Sequence, residues 1–311
     1  MPTWASTSRP ARGRAPGGSS PRSDAAAWGP SFSSNAIAHQ NLGEFATAER
    51  EYREALRIQT RLLGRSDPTT ATAATNLGSL LVDRGDLAGA ERLIRGAIDD
   101  FRSLWGDDHP LVPATLGDLA RIRLRQDDVV AAEALEREAL AIQLRLLGPE
   151  HPSNAIRRNN LARALLRRGD FMAAADELRE SISIFTRNFG PDDPQIAFPL
   201  ENLAEAPTGL GRAEEALAVL RRAFTMKART HGAHHPRLAQ NLRKQALAHQ
   251  ALGQREEALE LLDEAISILR GASGQNPSEL AELEALFERL QGEAATAKPL
   301  AVQEPARRPS A

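Results

Sequence analysis

Asparagine returns at a fixed interval in this chain. Asn76, Asn160 and Asn202 occupy one column of a 42-residue spacing, with Asp118 and Lys244 filling its other positions. A primary amide donates and accepts hydrogen bonds at once, so such a ladder suits the backbone of an extended polypeptide. The same amides, exposed or capping, would equally serve to tighten helix packing. Arg121 and Arg125 lie four residues apart, and the same spacing puts Arg163 and Arg167 at equivalent positions. On helices these four predict a basic stripe. The planar guanidinium fork pairs with carboxylates, which favours an acidic segment or a C-terminal carboxylate as ligand; the alternative is a solvated face whose arginines pair with neighbouring glutamates. Glu201 and Glu205 reverse the sign in the following unit and would orient a ligand of mixed charge.

Other chemistry finds little support. Cysteine is absent, which removes disulfides, thiolate nucleophiles and thiolate metal sites together. His231, His234 and His235 form an HxxHH run, but the run falls in a turn, with no helix to aim two imidazoles at one point. His109, His151 and His235 stand a whole interval or more apart and read as helix-start residues. No GxxxxGK loop, nucleophile elbow or HExxH occurs. No catalytic residue, metal ligand or cofactor is therefore predicted, and binding is favoured over catalysis.

The columns belong to a larger repeat. Pro68, Pro110, Pro152, Pro194 and Pro236 are spaced by 42 residues, each four residues after a glycine (Gly64, Gly106, Gly148, Gly190, Gly232). A second column reads Gly43, Gly85, Asp127, Gly169, Gly211 and Gly253; a third reads Ala48, Ala90, Ala132, Ala174, Ala216 and Ala258; a fourth, seven residues on, includes Ala55, Ala97, Ala139 and Ser181. Columns of proline, glycine and alanine in register mark a repeat protein.

Each unit divides into two helices. Leu87, Ala90, Leu93, Ile94, Ala97, Ile98 and Phe101 follow the three-and-four spacing of an amphipathic helix. Proline is tolerated at a first helical position, where its missing amide hydrogen would lack a partner anyway. Asp67 and Asp193 are placed to cap there, and Asp86 and Asp170 to cap the second helices. Gly85, Gly169, Gly211 and Gly253 end the first helices in a left-handed conformation. Ala90 and Ala97, two turns apart on one face, let neighbouring helices approach. Pro199 and Pro207 break the pattern inside a first helix; they predict a kink or a soft point dividing the array near residue 200.

Tails bound the array. Residues 1–30, rich in Gly, Pro, Ser and Arg, predict a disordered segment, and 292–311 a flexible one. Residues 31–291 are the predicted array: a partial first unit over Asn35–Asn41, five units opening at the five prolines, and a capping helix over 278–290. The net charge of -2 and the acidic balance between the tails argue against nucleic acid. No stretch approaches the eighteen apolar residues of a membrane span. These features predict a cytoplasmic protein with no membrane contact; they leave its oligomeric state open.

The stretch LLGPEHPSNAIRRNNLARALLRRGDFMAAADELRESISI (146–184), with related units at 62–98 and 104–140, resembles the tetratricopeptide repeat of the 42-residue, kinesin-light-chain-like type. The resemblance spans roughly residues 35–290. It implies an all-α fold, a right-handed α–α superhelix or TPR solenoid, whose first helices line a concave groove. It also implies a scaffold that binds a peptide or helical segment of another protein there, the asparagine column facing the ligand. Two other readings are a regulatory or sensor component of a bacterial signalling assembly and a helical enzyme with unrecognised catalytic groups. The chain departs from the family in having few helix tyrosines, Tyr52 being its only one, and in Asp127.

Overall fold

A computed structural model describes residues 35, 36, 39, 44–271 and 277–296. Every element among them is helical, and the helices follow one another through short turns. This is the all-α, repeating helix-turn-helix architecture of a TPR-like solenoid. The chain divides into two compact units at Gln126/Asp127. The first unit contains α1 (Phe45–Leu63), α2 (Pro68–Asp83), α3 (Leu87–Trp105) and α4 (Leu111–Arg125). The second contains α5 (Val129–Leu147), α6 (Pro152–Arg168), α7 (Phe171–Phe189), α8 (Ala197–Leu203), α9 (Glu205–Gly209), α10 (Ala213–His231), α11 (Ala239–Ala251), α12 (Arg255–Gly271) and α13 (Pro277–Thr296). Residues 1–30 lie outside the described residues, as do 297–311. Of the stretch 35–41, Asn35, Ala36 and His39 are described, all helical. The last helix runs to Thr296, past the expected start of a tail at 292.

The column before each proline caps a helix whichever residue fills it. Asp67 accepts from the Thr69 amide at 2.9 Å and Asp193 from Gln195 at 2.8 Å. Where histidine replaces aspartate, Nδ1 accepts instead: His109 from Leu111 at 3.3 Å, His151 from Ser153 at 3.2 Å, His235 from Arg237 at 3.1 Å. An imidazole accepts only when that nitrogen carries no proton, so these three caps need the neutral ring. Pro68 and Pro152 are the first residues of their α-helices, Pro194 and Pro236 open short 3₁₀ turns (Pro194–Ile196, Pro236–Leu238), and α4 begins one residue after Pro110. Asp86, Asp128 and Asp170 cap α3, α5 and α7 by accepting from the amide three residues on.

Asp127 stands in the turn column otherwise filled by glycine, and it adopts the same left-handed backbone, φ 63°. That region costs a residue with a Cβ about 1 kcal/mol or more, less for Asp than for most. Asp127→Gly is expected to raise stability by roughly 0.5–1 kcal/mol in urea melts; a loss of stability would show that the Asp127 carboxylate does more there than tolerate the turn.

The two alanine columns are the seams of the core. Ala48, Ala90, Ala132, Ala174, Ala216 and Ala258 are fully buried, and Ala55, Ala97, Ala139, Ala223 and Ala265 are at most 1% exposed. Ser181, also fully buried, replaces an alanine without leaving a free hydroxyl, because its Oγ donates to the Ala155 carbonyl at 2.7 Å. No hairpin buries itself. One cluster joins Leu140 of α5 to Leu161 and Leu165 of α6 and Leu178 of α7. Another joins Ala155 of α6, Ile184 and Phe185 of α7, Leu200 of α8, and Met226 of α10. Within the second unit each helix thus covers an apolar face of its neighbours, as a stack requires.

Polar latches reinforce the early seams. Glu49 of α1 pairs with Arg84 just beyond α2. One interval on, Glu91 of α3 takes Arg123 at 2.6 Å and Gln126 at 3.0 Å. Glu133 of α5 takes Arg168 of α6. The Gln126 amide, with Arg123 and Arg95, holds the Glu91 carboxyl below the usual carboxylate range. Further along the latch becomes apolar: Leu217, in the same column, packs with Ala213 and Ala248, and Leu252 closes on them.

The prolines act differently from expectation. Pro199 is the third residue of α8, inside a first turn whose amides have no partner within the helix, so it is accommodated there and buried. The interruption comes later, where Ala204 separates α8 from α9 and Pro207 sits within α9. Proline lacks the amide hydrogen that the Leu203 carbonyl would accept, and its ring crowds that carbonyl. This segment still packs on both α7 and α10. The division between compact units accordingly falls at Gln126/Asp127 and not near residue 200.

Candidate functional site

The first helices carry the residues singled out by spacing. In the first compact unit, Asn76 is half-buried on α2. Arg121 of α4 does not offer a free guanidinium: it donates to Ser79 at 2.5 Å, to Asp83 at 3.3 Å and to Asp118 at 3.5 Å. Arg121 thus ties α4 to α2, with Asp118 of its own helix beside it. Arg125, a turn further on, is exposed and makes no hydrogen bond or ion pair among the described residues.

In the second unit, α6 presents Asn160, Arg163 and Arg167. Asn160 is half-buried, Arg163 is exposed and unpaired among the described residues, and Arg167 reaches only a distant contact with the exposed Asp127, at 4.0 Å. Asn202 of α8 turns its amide to the neighbouring helix, donating to Asn159 Oδ1 at 2.9 Å. Glu205 accepts from Lys244 at 2.7 Å, and Lys244 also donates to the Glu201 carbonyl at 3.1 Å. This pairing joins α9 to α11.

Glu201 corrects the sequence reading most plainly. It is buried, and its carboxylate accepts from Lys227 Nζ at 2.5 Å and from Asn241 Nδ2 at 2.9 Å. Asn241, fully buried, also donates to the Leu220 carbonyl at 3.1 Å, and its own oxygen accepts from Gln245 at 2.7 Å. A carboxylate enclosed in this way is part of the interior and presents no charge to a ligand. The signal missed was Lys227, whose position in the second-helix α10 belongs to no column of charged residues.

Two apolar residues join the site that spacing had not singled out. Ile156 and Phe198 stand one repeat apart on α6 and α8, each about half exposed. Ile156, Asn160, Arg163 and Arg167 follow the spacing of one helix face, and Phe198, Asn202 and Glu205 repeat it. Lys227 Nζ lies 5.0 Å from the centre of the Phe198 ring, a cation–π contact that holds the ring in place. The apolar residue four positions before Asn160 and before Asn202 was a legible signal; before Asn76 that position holds Thr72.

The histidine run is a turn. His231 and His235 rings lie 4.8 Å apart, and partial burial lowers the His231 pKa, helped by the positive charge of Arg237 and Lys227. No group of three or more His, Cys, Asp or Glu side chains among the described residues is placed to hold a metal ion. No helix among them is long and apolar enough to cross a membrane.

With capped pairs, buried alanine seams and latched neighbours in place, the comparison with known proteins is decisive. Residues 27–270 match the family described as the MalT-like TPR region. The chain belongs to that family. Among solved structures, this MalT-like TPR chain is similar to the kinesin-light-chain TPR-like repeats of Podosopora anserina, with 24% identity, a TM-score of 0.56, and coverage of 65% of this chain and 95% of that one. It is also similar to BtubC (BKLC) of P. vanneervenii: 22% identity, TM-score 0.58, 86% and 95% coverage. A third likeness, to the APC/C hetero-tetramer Cut9–Hcn1, has 12% identity, a TM-score of 0.60, and 84% and 42% coverage. At these identities the structures establish the fold alone: a TPR-like repeat protein related to kinesin-light-chain-like TPR folds. No curated protein matches the chain. TPR-like folds typically mediate protein–protein interaction through a concave groove.

Proposed function

We propose that this chain, a tetratricopeptide array of the 42-residue kinesin-light-chain-like type, is a cytoplasmic scaffold that binds an extended peptide or a helical segment of another protein along its first helices. The observation that carries this reading is the face of α6, where Arg163 is exposed and unpaired beside Asn160, Arg167 and Ile156. An unpaired guanidinium costs nothing to leave in water and gains paired hydrogen bonds from an arriving carboxylate. Ile156 and Phe198 would bury an apolar side chain of the same ligand, and the half-buried Asn160 amide would hold its backbone. The ligand is accordingly an acidic segment with an apolar anchor, and the chain binds it without transforming it.

Affinity capture with the purified protein tests this reading. Arg163 and Arg167 of α6 are changed together to Glu; Arg121 is left alone because it braces α4 on α2. The double variant is expected to keep its melting temperature and to lose the captured partner, a fall of about tenfold or more per committed charge pair. A partner retained equally by both forms would overturn the proposal.

A further inference from the structure

One unit of the repeat is hollow. Between α1 and α3, over α2, lies a cavity of about 320 Å³ walled by Leu56, Leu93 and Ala97 and floored by Ala71 and Ala74. Its volume falls in the lower range of small-molecule sites. The repeat register shows why this unit has room here. Ala74 stands where Leu116, Leu200 and Leu242 stand in other units, and Gly96 where they have Glu138, Glu180 and Arg222. Side chains that fill the seam elsewhere are missing here.

Polar groups gather at one end. Thr70 also lines the cavity; it is 98% buried by its 2% exposure, and its hydroxyl has no hydrogen-bond partner among the described residues. A buried hydroxyl without a partner costs free energy, which a ligand group would relieve. Of the equivalent residues, Val112, Ile196 and Leu238 carry no polar side chain, and Asn154 carries an amide that donates to the Gly148 and Pro149 carbonyls. Asp100, where other units have Ile142, Ile184 and Ile268, brings a carboxylate to the same end, with one oxygen accepting from Ser66 at 2.9 Å. Arg65 makes no hydrogen bond or ion pair among the described residues, and its guanidinium lies over Gly96, 3.4 Å from where a Cβ would stand. A Glu or Arg at 96 would occupy that space. The cavity therefore has an apolar body and, at one end, a cation, an anion and an unsatisfied hydroxyl.

We infer that this cavity binds a small apolar α-amino acid. Its carboxylate pairs with Arg65, its ammonium with the remaining oxygen of Asp100, and Thr70 completes the polar end. Its side chain lies against Ala71, Ala74 and Leu93. Both charges of a zwitterion are met, whereas a simple acid or amine leaves one protein charge unmatched. The site needs none of the residues of the proposed groove, so either reading can fail alone.

Thermal shift and titration calorimetry on the full chain test it, with leucine, isoleucine, methionine and phenylalanine as probes, and 4-methylpentanoate and 3-methylbutylamine as leucine lacking its amine or its carboxylate. At least one amino acid is expected to raise the melting temperature saturably, with one site per chain, and the two analogues to bind about tenfold or more weakly. Ala74→Leu installs the residue of the equivalent positions, so it should fold at least as well as the parent and lose binding. Arg65→Ala, at an exposed position, should weaken binding about tenfold. The proposal is overturned if none of the four binds at about 10 mM, if Ala74→Leu binds as the parent does, or if the analogues bind as well as leucine.

Discussion

Replacing Lys227 with Met is expected to destabilise the protein by about 3–5 kcal/mol, the penalty for leaving the other member of a buried ion pair without its partner. Lys227 and Glu201 are each 7% exposed, and their 2.5 Å contact joins α10 to α8. Methionine keeps most of the volume, so the loss would report the charge, in its pairing with Glu201 and its contact with the Phe198 ring. Asn241 would then be the remaining side-chain donor to an enclosed carboxylate. Removing both charges, as Lys227→Met with Glu201→Leu, should recover most of the loss, because two apolar groups of similar size need no desolvation. Urea melts of the single and double variants measure the coupling. A single variant within about 1 kcal/mol of the parent would show that the pair is not enclosed in solution.

Pro207→Ala is the second large effect, with opposite sign. A proline inside a helix costs about 3 kcal/mol relative to alanine. The chain has already relaxed around Pro207 by interrupting the helix at Ala204, so the expected gain is about 1–3 kcal/mol, with α8 and α9 merging into one helix. Thermal melts with helicity from circular dichroism would read both. The same change at Pro199, in the first turn of α8, should yield much less. Equal gains at the two positions would show that the location of the helix break does not depend on Pro207.

These two cases mark where sequence reading was sufficient and where it was not. The capping column, the glycine turns and the alanine seams are properties of one residue type at one spacing, so they are legible without coordinates. Asp127 also obeys its column, taking the left-handed turn that glycine takes elsewhere. Arg121 and Glu201 share the spacing of exposed residues but are committed inside the fold, because their partners Ser79, Asp83 and Lys227 come from neighbouring helices. Periodicity places a residue on a helix face; whether a neighbour neutralises it depends on side chains outside the repeat. The hollow beneath Leu56 and Leu93 was invisible for a related reason. Ala74 and Gly96 are unremarkable alone, and become a cavity only when larger residues at the equivalent positions show what is missing.

The array is stable because its helices hide one another's apolar faces across repeat boundaries. The α6–α7 hairpin, residues 152–189, states the case in miniature, since Leu161, Leu165 and Leu178 pack with Leu140, while Ala155, Ile184 and Phe185 pack with Leu200 and Met226. Circular dichroism of this hairpin as an isolated peptide is the most direct measurement. It should show weak helicity and no cooperative thermal transition, against a sharp transition for the whole chain. A cooperative melt from a monomeric hairpin would contradict it.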